Sequence, residues 1–286
     1  MRIIKAYSLD GLYNEVIDNV IKYGNNVSPR GKETLEIISP LLVLEPQLVL
    51  PVLKNDARKL NYAFQIVEGV QYLSGEMDVD RLCWYNKQFA AYKNPITQEF
   101  DGAYGPRIIG QLEYCFELLS KDKDSRQAVV NIFDHSFDHR PSLDIPCTLT
   151  FQFFIRNYKL DMVVNMRSND VLWGTPYDIM GFTFLQHVLA SWLEIEPGTY
   201  YHHPGSLHIY KDTIHKLKEV LQSEEYNRIS YGSYTLDFEE TQDQLQEFWK
   251  LEKASRLNMP IEPENLKEPY KTFIGIINKY NRKKYE

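Results

Sequence analysis

The segment TLTFQFFIRNYKLDMVVNM, residues 148–166, predicts two β-strands joined by a short turn. Apolar and polar residues alternate over 148–155 and again over 159–166, and this period of two is typical of strands with one buried face. The residues between them, Arg156-Asn157-Tyr158, have the length of a hairpin connection. We therefore expect an antiparallel hairpin near the centre of the chain.

The remaining sequence predicts helices around this hairpin, and one more strand over 128–133. Segments 25–34 and 94–107 are expected to be loops, because they contain polar residues, proline and glycine. Segment 179–193 is the most apolar and is expected to be a buried helix. Apolar residues at helical spacing predict helices over 8–23 (capped by Ser8), 59–73, 112–119, 176–193 and 211–223. No linker divides the chain, so we predict a single α+β domain over residues 1–286.

The composition excludes several classes of protein. The 286 residues are 43% hydrophobic and 25% charged, as in an ordinary globular protein. The three cysteines lack CxxC spacing, so neither a disulfide framework nor a metal site is expected. The net charge of −7 disfavours nucleic acid as a substrate. No stretch reaches the ~18 apolar residues of a membrane helix, and the N-terminus lacks a signal peptide's apolar core. We expect a cytoplasmic protein without a membrane partner.

Cys147 is the first candidate for chemistry, because Pro146 and the strand after it would hold the thiol on a rigid edge. A lone cysteine is most often a small buried hydrophobe. Arg126 and Arg167 each stand where a predicted strand begins or ends. Such arginines usually pair with surface carboxylates, but two of them near a thiol could instead hold a phosphate and lower the thiol pKa.

A set of short motifs around this cysteine resembles the thymidylate synthase family. In chain order the motifs are Pro146-Cys147, Gln152-Phe153, Arg167-Ser168-x-Asp170-Val171, Gly174-x-Pro176-Tyr177 and His208-Ile209-Tyr210. The upstream segments that fit the family are Glu68 with Tyr72-Leu73-x-Gly75, Tyr104-Gly105 and Asp124-Ser125-Arg126. The resemblance is dense from about Glu68 to Tyr210 and thin outside that span. It is specific, because this combination in this order and spacing is hard to obtain by chance.

The resemblance implies a mixed central sheet that is covered by helices and used for dimerisation. It also implies a pyrimidine nucleoside monophosphate as substrate, 5,10-methylenetetrahydrofolate as cofactor and a homodimer with shared sites. Cys147 would add to C6 of the base, which makes C5 a nucleophile. Glu68 would organise the waters that transfer protons, and Tyr104 would stand among the catalytic residues.

The same resemblance assigns residues to the substrate and the cofactor. Arg167, Ser168 and Arg30 would bind the nucleotide on its phosphate side, although Arg30 is offset from the family's usual pattern. Arg126 would reach the phosphate from a second subunit. The sugar hydroxyl would meet His208 and Tyr210, and the folate pterin would lie near Asp170.

Asp178 is the departure that separates members of this family, because thymidylate synthases have asparagine at its position. An asparagine amide complements the N3–H and O4 of uracil. A carboxyl group complements cytosine, since its protonated oxygen donates to N3 and its other oxygen accepts from the amino group. A charged aspartate facing uracil O4 would instead cost roughly 1–3 kcal/mol. The family members with aspartate here are cytidylate hydroxymethylases. The alternative is that Asp178 caps the helix that follows it.

Other departures favour the same interpretation. Trp84 and Asn86 fall in the stretch where the family places an indole that shields the methylene intermediate, and a polar residue there would admit water. The chain ends in NRKKYE and not in the small apolar tail that closes a synthase over folate. Further family positions are changed, because Gln127 replaces a second arginine, Thr148 a histidine and Met166 a glutamine.

The sequence therefore favours a hydroxymethylase that converts dCMP or CMP, the cofactor and water to the 5-hydroxymethyl nucleotide and tetrahydrofolate. One alternative is a thymidylate synthase or a dUMP hydroxymethylase. The other is a non-catalytic relative that binds nucleotide or RNA. Ribose and deoxyribose both remain open, and so does the source of the gene. If a phage encodes it, the expected location is the host cytoplasm.

Overall fold

The computed structural model describes residues 2–286, which form two β-sheets covered by helices. The strands are β1 (Ile3–Ala6), β2 (Asn25–Val27), β3 (Thr34–Ile38), β4 (Leu41–Leu44), β5 (Val129–Asn131), β6 (Thr148–Arg156), β7 (Lys159–Met166), β8 (Asn169–Asp170), β9 (Glu196–Pro204) and β10 (Ser206–Tyr210). The helices are α1 (Leu9–Tyr23), α2 (Tyr62–Ser74), α3 (Val79–Tyr85), α4 (Gly105–Lys121), α5 (Thr175–Trp192), α6 (Ile214–Gln222), α7 (Phe238–Arg256) and α8 (Tyr270–Arg282).

The larger sheet has the strand order β1-β4-β9-β7-β6-β5, and the smaller one has the order β2-β3-β10-β8. Both sheets are mixed: β7 pairs parallel with β9 but antiparallel with β6, and β10 pairs parallel with β8 but antiparallel with β3. The prediction of an α+β fold with a mixed central sheet is confirmed.

The central hairpin is confirmed as well. β6 and β7 pair in antiparallel register from Arg156 and Lys159 at the turn back to Thr148 and Met166. Asn157 and Tyr158 both have positive φ, at 51° and 58°, the signature of a type I′ turn that matches the twist of the two strands. The hairpin therefore fixes Cys147 at one end of β6 beside Arg167, which follows β7.

Several predicted segments differ in length from the observed ones. Helix α4 begins at Gly105, well before the predicted start, because Pro106 occupies the first helical turn where no N–H bond is needed. The predicted loop over 25–34 contains β2 and a 3-10 turn at Pro29–Gly31. The predicted strand over 128–133 shortens to β5. The predicted helix over 211–223 begins as the 3-10 turn Lys211–Thr213 before α6.

The sequence did not reveal the strands that frame the sheets or the C-terminal helices. β1, β3, β4, β9 and β10 are short or mixed in polarity, and they gain their partners from distant parts of the chain. The expectation that strands cluster only at the centre of the sequence was therefore wrong. Helices α7 and α8 were also missed.

Helix α5 lies in the core, and Asp178 in its first turn is bonded to Asn169 of β8 in the smaller sheet. Residues 179–190 of α5 are all buried, so the predicted buried helix is confirmed. The Gln186 side chain donates to the Leu160 carbonyl at 2.8 Å, which satisfies a polar group that would otherwise be costly in the core. The helix packs on β7 and β9 and on α2.

Among residues 2–286, the β6 and β7 side chains on the face that points away from α5 are only half-buried. On β6 and β7, half-buried residues such as Gln152, Phe154 and Val163 alternate with the fully buried ones. This face is the surface that we expect to dimerise, and dimerisation stays a prediction. Between residues 2 and 286, the helices are too short or too polar to cross a membrane.

Candidate active site

Cys147 lies half-buried immediately before β6, and its carbonyl accepts a hydrogen bond from the Arg167 backbone N–H at 2.9 Å. Burial raises the pKa of its thiol, and the nearby Asp178 and Asp144 raise it further, while Arg167 and Arg30 partly offset the effect. Of the two arginines that could lower the thiol pKa according to the sequence, Arg167 is among the groups that do so. In the free chain burial is the larger effect, so the thiol is mainly protonated.

Arg167 is held against the loop that precedes Cys147. Its Nε donates to the Pro146 carbonyl and its Nη2 to the Ile145 carbonyl, each at 2.8 Å. The same Nη2 lies 3.7 Å from Cys147 Sγ. The guanidinium is therefore fixed beside the sulfur, where it stabilises a thiolate.

Asp178 lies in the first turn of α5, and Asn169 of β8 donates from Nδ2 to its Oδ2 at 2.6 Å. Burial raises the pKa of Asp178 to about 7, nearby Asp170 raises it too, and the Asn169 hydrogen bond partly offsets these effects. The helix begins at Thr175 with Gly174 in the N-cap position. The alternative that Asp178 caps this helix is therefore wrong. The argument against uracil, made for a charged aspartate, holds only above this pKa.

Glu68 is the second carboxyl group with a raised pKa. It lies on α2, where burial and the neighbouring Asp178 raise its pKa to about 8, and the Tyr72 hydroxyl one turn later partly offsets them. Two neighbouring carboxyls that titrate near neutrality can hold and release protons at physiological pH. The sequence did not identify Tyr72 as a partner of Glu68.

Tyr104 lies immediately before α4. It connects the carboxyl groups of Glu68 and Asp178 to β6, the strand that follows Cys147. Its hydroxyl accepts the Thr148 backbone N–H at 3.1 Å, and its ring packs against Tyr72 and Phe182. Burial is the main cause that raises the pKa of Tyr104, and Cys147 raises it further. Tyr104 is therefore a neutral phenol beside the thiol.

Asp170, His208 and Tyr210 form a second polar group at the edge of the smaller sheet. Asp170 Oδ1 accepts the Trp173 backbone N–H at 2.6 Å, and Oδ2 lies 4.0 Å from His208 Nε2. Asp170 Oδ2 and His208 Nδ1 are both buried without a hydrogen-bond partner among residues 2–286. The Tyr210 ring lies edge-on to His208, with centroids 5.2 Å apart. Buried polar atoms left without partners are suited to a ligand that supplies them.

Arg30 and Arg126, the other two arginines predicted to bind the phosphate, lie at different distances from the thiol. Arg30, in the turn Pro29–Gly31, is exposed and acts on the thiol through its charge. Arg126 is also exposed, and its carbonyl accepts the Gln152 side chain at 2.9 Å. Gln152 lies about 16 Å along β6 from Cys147 at ~3.3 Å per residue. Within one chain Arg126 therefore lies apart from the thiol. Ser168 is half-buried directly after Arg167.

Trp84 on α3 and Asn86 directly after it are the two residues predicted to lie near the cofactor. In the structure both contact other parts of this chain. Trp84 donates from Nε1 to Asn281 Oδ1 at 2.9 Å, and Lys284 lies 4.5 Å over its ring. Asn86 accepts the Gln88 backbone N–H at 3.2 Å and caps the turn that follows. Their cofactor roles stay predictions.

Tyr92, at the end of the 3-10 turn Lys87–Tyr92 that follows Asn86, lies near residues of the site. Cys147, Asp144, Tyr210 and Asp170 are the charged or polar neighbours that raise its pKa beyond the main effect of burial. Tyr92 is 48% exposed, so its side chain is reached by solvent. It is one of 20 tyrosines scattered through the chain, and no periodicity distinguished it.

Arg58 is another residue that the sequence did not identify. It is buried, donates to the Leu172 carbonyl, and has Nε unpartnered among the described residues. The Trp173 and Tyr177 rings each lie 5.8 Å from its guanidinium carbon. A buried cation with a free donor, close to Asp170, can bind a polar group of a ligand. Through the described part of the chain, no cluster of His, Cys, Asp or Glu could hold a metal ion.

The chain is similar to known proteins in both sequence and fold. The sequence model of the thymidylate synthase family matches residues 11–252. The chain is similar to the deoxyuridylate hydroxymethyltransferase of Bacillus phage SP01, with 33% identity over 219 residues, 70% of this chain and 57% of that enzyme. It is also similar to the deoxyuridylate hydroxymethyltransferase of Delftia phage PhiW-14, with 31% identity over 187 residues, 59% of this chain and 52% of that enzyme. The chain thus spans little more than half the length of these two relatives.

A solved structure supports the fold. The thermostable thymidylate synthase A from Bacillus subtilis superposes with a TM-score of 0.66 at 21% identity, covering 77% of this chain and 86% of that one. At this identity the match shows the fold alone.

Proposed function

The chain belongs to the thymidylate synthase family, and from that premise we propose that it hydroxymethylates C5 of a cytidylate, dCMP or CMP. The one-carbon donor is 5,10-methylenetetrahydrofolate, which the family uses. The products are the 5-hydroxymethylcytosine nucleotide and tetrahydrofolate. The observation that carries the choice of base is the carboxyl group of Asp178, at the position where an amide would read uracil.

Asp178 reads cytosine in its neutral form. Cytosine presents an acceptor at N3 and a donor at its amino group, so a neutral carboxyl makes both hydrogen bonds. Burial raises the pKa of Asp178 to about 7, which keeps this form populated near neutral pH. A proton on N3 facing a carboxylate gives the same pair of bonds.

Cys147 is the nucleophile, and Arg167 stabilises its thiolate. The sulfur adds to C6 of the pyrimidine, its proton leaves, and C5 becomes the nucleophile that takes the one-carbon unit. The Arg167 guanidinium, 3.7 Å from the sulfur, stabilises the thiolate as it forms. Arg30 and Arg167 bind the 5′-phosphate, which positions C6 before the chemistry begins.

Glu68 is the general acid and base of the reaction. Its pKa of about 8 leaves it neutral at physiological pH, so it can donate a proton to the base and later accept one from water. Tyr104 lies between this carboxyl and the cysteine strand and orders the water that carries the proton.

The residues near Asp170 fit a folate. The partnerless Oδ2 of Asp170 accepts hydrogen bonds, as the N–H groups of a pterin require, and Arg58 offers a donor nearby. The bound cofactor supplies a one-carbon unit at the oxidation level of formaldehyde. His208 and Tyr210 bind the sugar hydroxyl at the same edge of the smaller sheet.

Water, and not hydride, completes the reaction in this proposal. The indole of Trp84 is engaged by Asn281 and Lys284, and the side chain near Cys147 from the adjoining turn is the half-exposed phenol of Tyr92. Once C5 has given up its proton with release of tetrahydrofolate, water adds to the exocyclic methylene, and elimination of the Cys147 sulfur from C6 frees the hydroxymethyl nucleotide. A synthase excludes water until hydride transfer is complete.

The functional unit that we propose is a homodimer formed through the open face of the larger sheet. Arg126 is exposed and lies apart from the thiol of its own chain. Across a dimer it can contribute to the phosphate site of the partner subunit.

Deoxyuridylate is the second candidate substrate. Two relatives are named deoxyuridylate hydroxymethyltransferases. A neutral carboxyl can also serve uracil when its proton sits on the other oxygen, because it then donates to O4 and accepts from N3–H.

The deciding experiment incubates the chain with 5,10-methylenetetrahydrofolate and, separately, dCMP, CMP and dUMP, followed by mass analysis. The proposal expects a hydroxymethylated cytidylate and no dihydrofolate. A hydroxymethylated product from dUMP alone would mean that deoxyuridylate, and not a cytidylate, is the substrate. A methylated nucleotide formed together with dihydrofolate would show a synthase and overturn it.

A further inference from the structure

Asn169 is a buried residue that neither the sequence motifs nor the proposed function uses. It lies in β8, two residues after Arg167, with 2% of its surface exposed. Its Nδ2 donates to Asp178 Oδ2 at 2.6 Å. It thus bonds directly to the carboxyl group that faces the base in the proposed function.

Two buried donors fix the orientation of the Asn169 amide. Thr175 Oγ1 donates to Asn169 Oδ1 at 2.6 Å, and His202 Nε2 lies 3.1 Å from the same oxygen. Burial lowers the pKa of His202 to about 3, so its ring is neutral. The buried Tyr200 hydroxyl has His202 Nδ1, at 2.9 Å, as its only hydrogen-bond partner among the described residues, so the hydroxyl donates there and the ring proton is on Nε2, facing Asn169 Oδ1. With Oδ1 occupied by donors, Nδ2 is turned toward Asp178.

This orientation decides which oxygen of neutral Asp178 carries the proton. An amide nitrogen bears only donor hydrogens, so Oδ2 must accept. The carbonyl oxygen of a carboxylic acid is the better acceptor, so Oδ2 takes the carbonyl role and the proton sits on Oδ1. Loss of Asn169 would remove this preference for Oδ2 as the carbonyl oxygen.

The two pyrimidines require opposite arrangements of that acid. Cytosine needs the proton on the oxygen that faces N3, whereas uracil needs it on the oxygen that faces the C4 substituent. We propose that Asn169, held by Thr175 and His202, is the positioning residue that selects between cytosine and uracil by fixing the proton-bearing oxygen of Asp178. The inference rests on the proposed function, because it assumes that Asp178 reads the base.

The test compares kcat/KM for dCMP and dUMP in the full-length protein and in Asn169→Ala. Loss of the amide donor should move the ratio of the two values toward one by about tenfold, the worth of one buried hydrogen bond. A defect in folding alone would lower both values alike. Thr175→Val removes one of the two donors without changing side-chain size and should move the ratio in the same direction by about threefold.

The matched control is Thr183→Val, one turn beyond Asp178 on the same helix. Thr183 is buried and donates only to backbone carbonyls of α5, the nearer being Ile179 at 2.6 Å. Its replacement should leave the ratio unchanged. If Asn169→Ala does not fold, Thr175→Val measured against this control decides the matter.

A pH profile provides a second readout. The Asn169 hydrogen bond opposes the burial and the Asp170 charge that raise the pKa of Asp178, and Glu68 of α2 faces the same carboxyl. Removal of the bond should therefore shift the decline of dCMP kcat/KM to higher pH in Asn169→Ala. Thr183→Val should show no shift.

The outcomes separate this inference from the proposed function. An unchanged dCMP-to-dUMP ratio in both Asn169→Ala and Thr175→Val would overturn the role of Asn169. If Asp178→Asn nevertheless changes the ratio, only this inference fails. If Asp178→Asn also leaves the ratio unchanged, Asp178 does not read the base and the proposed function fails with it.

Discussion

The nucleotide side and the cofactor side of the candidate site differ in how far apart their interacting residues lie along the chain. On the nucleotide side Arg167 bonds to Pro146, 21 positions away, and Asn169 bonds to Asp178, 9 positions away. On the cofactor side Trp84 bonds to Asn281, 197 positions away. Short sequence motifs contain residues that contact each other over such short separations, whereas no motif indicates a contact over 197 positions. The residue types that carry chemistry on the nucleotide side could therefore be proposed from local motifs, whereas the environment of Trp84 could not.

The largest effect is expected on the nucleotide side, from Cys147→Ser. An alcohol is a far weaker nucleophile than a thiolate, so kcat should fall by at least about a thousandfold. Nucleotide affinity should stay close to wild type, because Arg30 and Arg167 are unchanged. Steady-state kinetics and equilibrium binding of dCMP measure the two quantities. Activity above a few per cent of wild type would remove Cys147 from the mechanism.

A smaller but still large effect is expected from Glu68→Gln. The amide cannot exchange protons with the base or with water, so kcat should fall by about 100-fold or more. KM for the nucleotide should change little. Glu113→Gln, an exchange of the same type on α4 outside the site, is the control. Wild-type kcat and KM in Glu68→Gln would show that the carboxyl is structural.

The two carboxyls also give the nucleotide side a pH-dependent stability. The pKa of Asp178 is about 7 in the folded chain, against about 4 when unfolded. Its contribution to the free energy of unfolding is full below the unfolded pKa and is lost as pH rises through about 7. Asparagine does not titrate, so the Asp178→Asn protein lacks this loss. Between about pH 5 and pH 8 the Tm of Asp178→Asn should therefore fall less than the Tm of wild type, and the difference should correspond to about 1–3 kcal/mol in the free energy of unfolding. Parallel Tm curves for the two proteins would contradict the raised pKa.

The smallest effect is expected on the cofactor side, from Asn281→Ala. Asn281 is fully buried and bonds to Trp84, Tyr85 and Ser255. Its loss should release Trp84 from α8 and raise KM for the folate about threefold to tenfold, with KM for the nucleotide unchanged. Lys279→Ala, an exposed change on the same helix, is the control. Equal rises in both KM values would mean that α8 only stabilises the fold.

Residues close together in sequence explain most of what was predictable in the fold. The hairpin of β6 and β7 follows from alternation and a short turn, and the buried part of α5 follows from its continuous apolar run. β1 and β4 could not be predicted, because each has only a few residues and pairs with a partner tens of residues away. Their strand character comes from the sheet and not from their own composition.

The candidate site shows the same limit. The motifs identified Cys147, Arg167, Asp170 and Asp178, whose residue types carry the chemistry. Asn169 could not be distinguished, because its importance comes from the contact with Asp178 and from buried donors on β9 and α5. The net pKa of the Cys147 thiol was also beyond the sequence, since burial outweighs the arginines.

In the proposed function, the carboxyl group of Asp178 directs the chain to cytosine. The measurement that decides this claim is kcat/KM for dCMP, CMP and dUMP with the wild-type protein and with Asp178→Asn. We predict that wild type prefers a cytidylate and that the variant shifts toward dUMP by about 5–150-fold, or 1–3 kcal/mol, because the amide makes both bonds to uracil but loses one to cytosine. The same relative preference in both proteins would contradict the claim.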